Sequence, residues 1–258
     1  IWRFDVRNGE SPNDLVTGGV IAQLGADRTG SPATAVDTRR FYNAPDVSIV
    51  TDQNQNRFIA ISIGSGYRPQ ANDVSANDRF FSIRDPDVFK PLSQRDYDSY
   101  RVVGINDLID VDPQTAPELN ADDRGWMYVL PANEKVLTNS VTFNDQIFFV
   151  SFSPKLDAAD DCAGIQGRNF LYRVSAIDGS IVEADTTVVA ASASTTIPEE
   201  LAHGGIAPSP IILFPGPDAD CESRACVTRP IACIGMQCFT PDFDAYPVRT
   251  LWTQVGVD

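Results

Sequence analysis

The chain reads as an all-β protein built from repeated antiparallel strands, and three observations carry that reading. From Arg124 to Ser180 the hydrophobicity alternates with a period near two, in aromatic and β-branched bursts separated by turn formers. A strand-then-turn unit recurs: IWRFDV at Ile1 to Val6, FFSIRDPD at Phe80 to Asp87 and LYRVSAIDGS at Leu171 to Ser180, with LWTQVGVD at the C-terminus a weaker fourth copy. Helix signals are scarce. Units set roughly 80 to 90 residues apart, with a hairpin or two between them, fit a β-propeller whose blades exceed the usual length of about 40 to 50 residues.

Taken in order, the first strand, IWRFDV, runs into a turn at Asn8-Gly9. Within Phe41 to Gly66, VSIV and FIAISIG form two strands joined by a polar turn from Asp52 to Arg57. Gly64 and Gly66 follow the second strand, where a backbone passes close to another element or turns sharply. This Gly-x-Gly is no phosphate loop, because no helix follows and the third glycine is missing. After FFSIRDPD comes a polar stretch, Ser93 to Arg124, with Asp96, Asp98, Asp107, Asp110, Asp112, Asp122 and Asp123. Calcium favours several oxygens in such loops, but the spacing of a calcium loop breaks off at Asp110-Val111-Asp112-Pro113, which leaves a solvated acidic loop.

The next four bursts predict one antiparallel meander. GWMYVL breaks at Pro131 to Glu134, KVLTNSVTF at Asn144-Asp145, QIFFVSF at Ser153-Pro154 and FLYRVSA at Asp178-Gly179, the last a strong hairpin signal. Cys162 lies in a long Asp/Gly-rich loop between the last two. A short helical turn is expected from Pro198 to Leu201, and GGIAPSPIILFPG reads as a small-residue approach to a buried strand.

Composition narrows the function. With 35 acidic against 20 basic residues the formal net charge is −15, and no basic cluster stands out, so nucleic acid and anionic lipid would be repelled. No apolar run approaches the roughly 20 residues of a membrane span. Four of the five cysteines fall between Cys221 and Cys238, in a Cys-rich insertion at about 216–241. Without metal-type Cys-x-x-Cys pairs, that clustering indicates disulfides and an oxidising compartment. Cys221–Cys226 with Cys233–Cys238 would close two tight loops, whereas Cys226–Cys233 with Cys221–Cys238 would staple a hairpin centred near Arg229-Pro230. Cys162 is left to pair elsewhere or stay free. A four-thiolate zinc site is the rival reading, with spacing wider than usual. His203 is the single histidine and has no nucleophile elbow nearby, so no catalytic residue is assigned. The chain also opens directly on a strand with no starting methionine, which suggests a processed product or a portion of a longer protein.

Several of these segments follow one another in an order that resembles one family. IWRFDV, GSGYRP, DRFFSIRD, RGWMYVLPANEKVLTNSVTFNDQIFFVSFSP, the Cys162 loop, LYRVSAIDGS, GGIAPSPIIL and LWTQ together resemble the C-terminal β-propeller of the PilY/PilC type IV pilus tip-associated adhesins. The likeness spans essentially all of residues 1–258 and treats them as one domain. It implies a modified propeller similar to quinoprotein dehydrogenases, here an incomplete portion of one. It also implies export through the periplasm of a Gram-negative bacterium to the cell surface and pilus tip, with minor pilins as partners and adhesion to host or abiotic surfaces. Pilus assembly and calcium-dependent control of extension and retraction, hence twitching motility, come with it. The family's calcium loop is expected before Ile1, so no calcium ligand is assigned to any residue here and calcium belongs to the full-length protein. The four-cysteine insertion is not a general family feature. A periplasmic quinoprotein-type dehydrogenase is the alternative from another class, but such enzymes often carry adjacent cysteines and this chain has none. A generic secreted scaffold binding glycan or protein is the third reading.

Overall fold

The structure, a computed structural model, describes residues 1–8, 11, 15–26, 34–112, 119–120, 122–155, 166–182, 198–214, 230–239 and 241. Among these residues nearly all regular structure is β, arranged as four sheets in chain order. Strands β1 (Trp2–Val6) and β2 (Val16–Val20) form an antiparallel pair. The second sheet holds β3 (Asp46–Thr51), β4 (Arg57–Gly64), β5 (Arg79–Asp85), β6 (Ile109–Asp110) and β7 (Gly125–Val129), in the order β3-β4-β5-β7-β6. In the third sheet β8 (Lys135–Val136) and β9 (Val141–Phe143) both pair with β10 (Gln146–Pro154), followed by β11 (Gly167–Ser175) and β12 (Glu199–Leu201). The fourth is β13 (Ile211–Leu213), β14 (Ile231–Ile234) and β15 (Gln237–Phe239). Among the described strands only β6 runs parallel to its neighbour. The described residues form no closed barrel or ring of sheets.

The apolar side chains decide how these sheets stack. Ile21 and Leu24, just after β2, bury against Ile61, Ile63, Phe81, Ile83 and Met127 on one face of the second sheet. The other face of that sheet, through Val50, Phe58, Phe80 and Trp126, meets Ile147, Phe149, Tyr172 and Val174 of the third. Phe148, Val150 and Leu171, on the far face of the third sheet, meet Ala232 and Ile234 of the fourth. Strands in the middle of this stack are covered on both sides, so β4 and β10 carry near-continuous apolar runs instead of strict alternation, and β5 is buried along nearly its whole length.

The repeated units occupy matching places. β5 and β11 are each the third strand of an antiparallel meander, flanked by an earlier strand (β4 or β10) and a later one (β7 or β12). Their alternate residues match as well. Phe81 and Ile83 face the layer before their sheet, and Tyr172, Val174 and Ala176 do the same in theirs. β1 is the third copy. Its Arg3 and Asp5 point away from the Trp2 and Phe4 face, where the Arg3 guanidinium donates to Asp85 of β5 at 2.7 Å and Asp5 accepts from the hydroxyl of Tyr97, which lies outside the sheet, also at 2.7 Å.

Several expectations need correction. Arg124 to Ser180 is not one meander, because β7 belongs to the second sheet and β8 to β11 to the third. Turn chemistry at Pro131 to Glu134, where Asn133 adopts a φ of 71°, marks the break but not which neighbour the chain joins next. KVLTNSVTF is two strands, since Val136 donates its N–H to the Ser65 carbonyl and pulls the chain toward the second sheet. The helical turn expected at Pro198 to Leu201 is instead β12, whose pairing with Asn169–Leu171 overrides the local proline signal. Within the acidic stretch sits α1 (Gln94–Asp98), opened by a capping box of Ser93 and Asp96. Finally, the strand expected to be buried at Ile211 to Leu213 exposes both of those side chains.

Candidate functional site

The seam between the second and third sheets brings together the NEKV residues of the sequence. Glu134 and Lys135 are neighbours in the chain, so an extended backbone sends their side chains in opposite directions. Glu134 enters the third sheet, where its carboxylate accepts from the Ser151 hydroxyl at 2.5 Å and from Tyr172 at 2.9 Å. Lys135 enters the second, where its ammonium donates to the Asp73 carbonyl, with Asp78 nearby. Ser65 donates to Asp78 at 2.7 Å and accepts from the Arg79 N–H at 2.9 Å, which fixes that carboxyl in the sheet. Burial dominates the electrostatics. It pushes the carboxyls of Glu134 and Asp78 up and the Lys135 ammonium down, against the opposing hydrogen bonds and charges.

This predicts a pH dependence. Because the folded pKa of Glu134 lies above its ordinary value, its contribution to stability is complete below that ordinary value and is lost as pH rises through the folded one. Glu134→Gln therefore removes one component of the decline in stability above about pH 4.5. Urea titrations of both proteins across pH 4 to 8 check this, and parallel curves would assign the decline to other groups.

Several of the described acidic residues spend their oxygens on local turns. Asp52 spends its carboxylate on the turn it opens, accepting from the Asn54 and Asn56 N–H groups, each at 2.8 Å. Asp96, Asp107 and Asp123 likewise accept backbone N–H groups three residues earlier. Among the described residues no three His, Cys, Asp or Glu side chains come together as ligands. Such carboxylates satisfy local donors that would otherwise be orphaned.

The feature best placed to meet a partner is the outer face of the fourth sheet. Cys233 and Cys238 sit directly opposite each other in β14 and β15 and form a disulfide. Gly235, with a φ of 60°, and Met236 make the turn between them. A two-residue hairpin places residues i and i+5 face to face, so the local pairing holds and the nested Cys226–Cys233 and Cys221–Cys238 scheme does not; the hairpin is centred at Gly235-Met236, not at Arg229-Pro230. Cys162, Cys221 and Cys226 lie outside the described residues. Met236 at the tip is fully exposed, and Ile211, Leu213 and Phe214 are roughly half-exposed beside it. Phe214 is held edge-on against Phe143 at 5.4 Å.

Sequence reasoning missed this apolar surface. Its one available signal is the five-residue cysteine spacing around Gly-Met, which fits a tight hairpin as well as a nested pairing. His203 is exposed in a loop after β12, its Nδ1 3.2 Å from the Gly205 carbonyl, with no nucleophile among its contacts. No described helix is long and apolar enough to cross a membrane. No family model, curated protein or solved structure matches the chain.

Proposed function

We propose that this chain is a non-catalytic segment of a modified β-propeller of the PilY/PilC type, acting at the type IV pilus tip in pilus assembly, retraction control and adhesion. The observation that carries it is the repeat: antiparallel meanders that follow one another in the chain, stack face to face and place the same sequence unit at the same strand position. Radial repetition of such sheets is the propeller principle. The order of the motifs resembling that family, the disulfide-closed hairpin and the exposed apolar face with Met236 all support a surface protein that meets other proteins or a substratum. Minor pilins and a host or abiotic surface are the partners this reading assigns, with localisation at the cell surface.

The test is deletion of the segment from the chromosomal gene, followed by counts of surface pili, twitching zones and attached cells. Loss of piliation or attachment is the expected result. Normal values in all three assays would remove the reading.

A further inference from the structure

One edge of the first layer has no partner among the described strands, and the repeat says what belongs there. Hydrogen bonds from Ile21 N–H to the Ile1 carbonyl and from Arg7 N–H to the Leu15 carbonyl set the phase of the β1–β2 ladder. Odd-numbered residues of β1 thus bond to β2, and the N–H and C=O groups of Trp2, Phe4 and Val6 point to the opposite edge. The outer edge of β2 is plugged. Gln94 accepts from the Gly18 N–H and donates to its carbonyl, both at 3.2 Å, so a side-chain amide stands where another strand would be. No described strand pairs with the outer edge of β1.

The side chains agree with the backbone. Trp2, Phe4 and Val6 are 63%, 62% and 70% exposed, whereas the matching residues of β5 and β11 are almost fully buried against the preceding layer. Phe4 is held flat over Gly18, where an added Cβ would come within 2.4 Å of its ring. The Trp2 and Phe4 rings lie within 5° of parallel, so this is an ordered apolar shelf. It runs on into a cleft of about 580 Å³ lined by Trp2, Val20, Leu24, Phe41 and Ile63.

The geometry points to the open edge of β1 as a docking site for one extended, antiparallel peptide strand of the kind that β4 and β10 supply to β5 and β11. Those two strands read RFIAISIG and QIFFVSFSP, so the occupant is a mainly apolar strand of similar length with a polar or basic start. Its main chain bonds the outward groups of Trp2, Phe4 and Val6, and alternate side chains extend the aromatic shelf. The proposal rests on the repeat and not on the pilus assignment, so a failed piliation assay leaves it standing.

The probe is a labelled peptide of the β4 sequence flanked by lysines, added to the full 258-residue chain. Anisotropy should show saturable binding. Hydrogen exchange of the Phe4 and Val6 amides should slow at least ten-fold, while the Arg3 and Asp5 amides, already bonded to β2, stay unchanged. Phe4→Lys, a change at an exposed side chain, should weaken binding at least ten-fold. No binding at millimolar peptide, or protection of β3 amides instead of β1, overturns the proposal. A peptide-free dimer by sedimentation with Phe4 and Val6 already protected also overturns it, by making a second copy the occupant.

Discussion

Phe149→Ala is expected to lower the stability of the chain by about 3 to 5 kcal/mol, the largest effect of any single truncation considered. Phe149 is wholly buried between the second and third sheets, stacked on Phe80 with ring centroids 3.9 Å apart and on Tyr172 at 4.7 Å. Removing the middle ring leaves two aromatic faces without a partner and a void too enclosed to collapse. Tyr172 also donates to Glu134, so its displacement loosens the polar seam as well. For a domain stable by about 5 to 15 kcal/mol this approaches the whole margin. Urea unfolding followed by tryptophan fluorescence reads the change, since Trp126 packs 6.1 Å from Phe80 in the same cluster. A loss below about 1 kcal/mol would mean that Phe80 and Tyr172 close the gap.

Gly64→Ala is expected to cost about 3 kcal/mol, although it adds one methyl group to a strand end. A Cβ at Gly64 would sit 2.3 Å from the Cβ of Val136, a distance that real Cβ atoms do not reach. The two backbones approach this closely because Val136 donates to the Ser65 carbonyl and locks β8 against the end of β4. Val136→Ala does not rescue the double variant, since the clash is with the Cβ that alanine keeps. A measured double-mutant cycle in which Val136→Ala restores stability would place the clash at the methyl groups instead, and would show that the sheets can shift apart.

The fold was legible where local chemistry decides it. Val47 to Val50, Phe58 to Gly64, Phe80 to Asp85 and Gln146 to Phe152 were readable as strands because each carries a short aromatic or β-branched run ended by turn residues. Asn144-Asp145 was readable too, and both residues adopt positive φ, at 50° and 57°. What stayed hidden depends on tertiary partners. Whether β7 joins β5 or the strands after it is decided by Phe80, Trp126 and Phe149 meeting across sheets, which no local pattern records. The strand at Glu199–Leu201 forms because Asn169–Leu171 offers an edge to pair with. Of the candidate site, the cysteine spacing was visible, but exposure of Ile211 and Leu213 was not. An apolar run has the same letters whether its face is covered or open.

The seam at Glu134 and Lys135 has a mechanical side. β8 is paired with β10, so a pull that parts the second sheet from the third draws the Lys135 ammonium from the Asp73 carbonyl and the Val136 N–H from the Ser65 carbonyl, while the bonds of Glu134 to Ser151 and Tyr172 stay within the third sheet. Each extraction strands polar groups in a dry interior. The two anchors lie in series, so each carries the whole load and the joint opens on the lysine side, while Glu134 and the β8–β10 pairing keep the short strand with the third sheet.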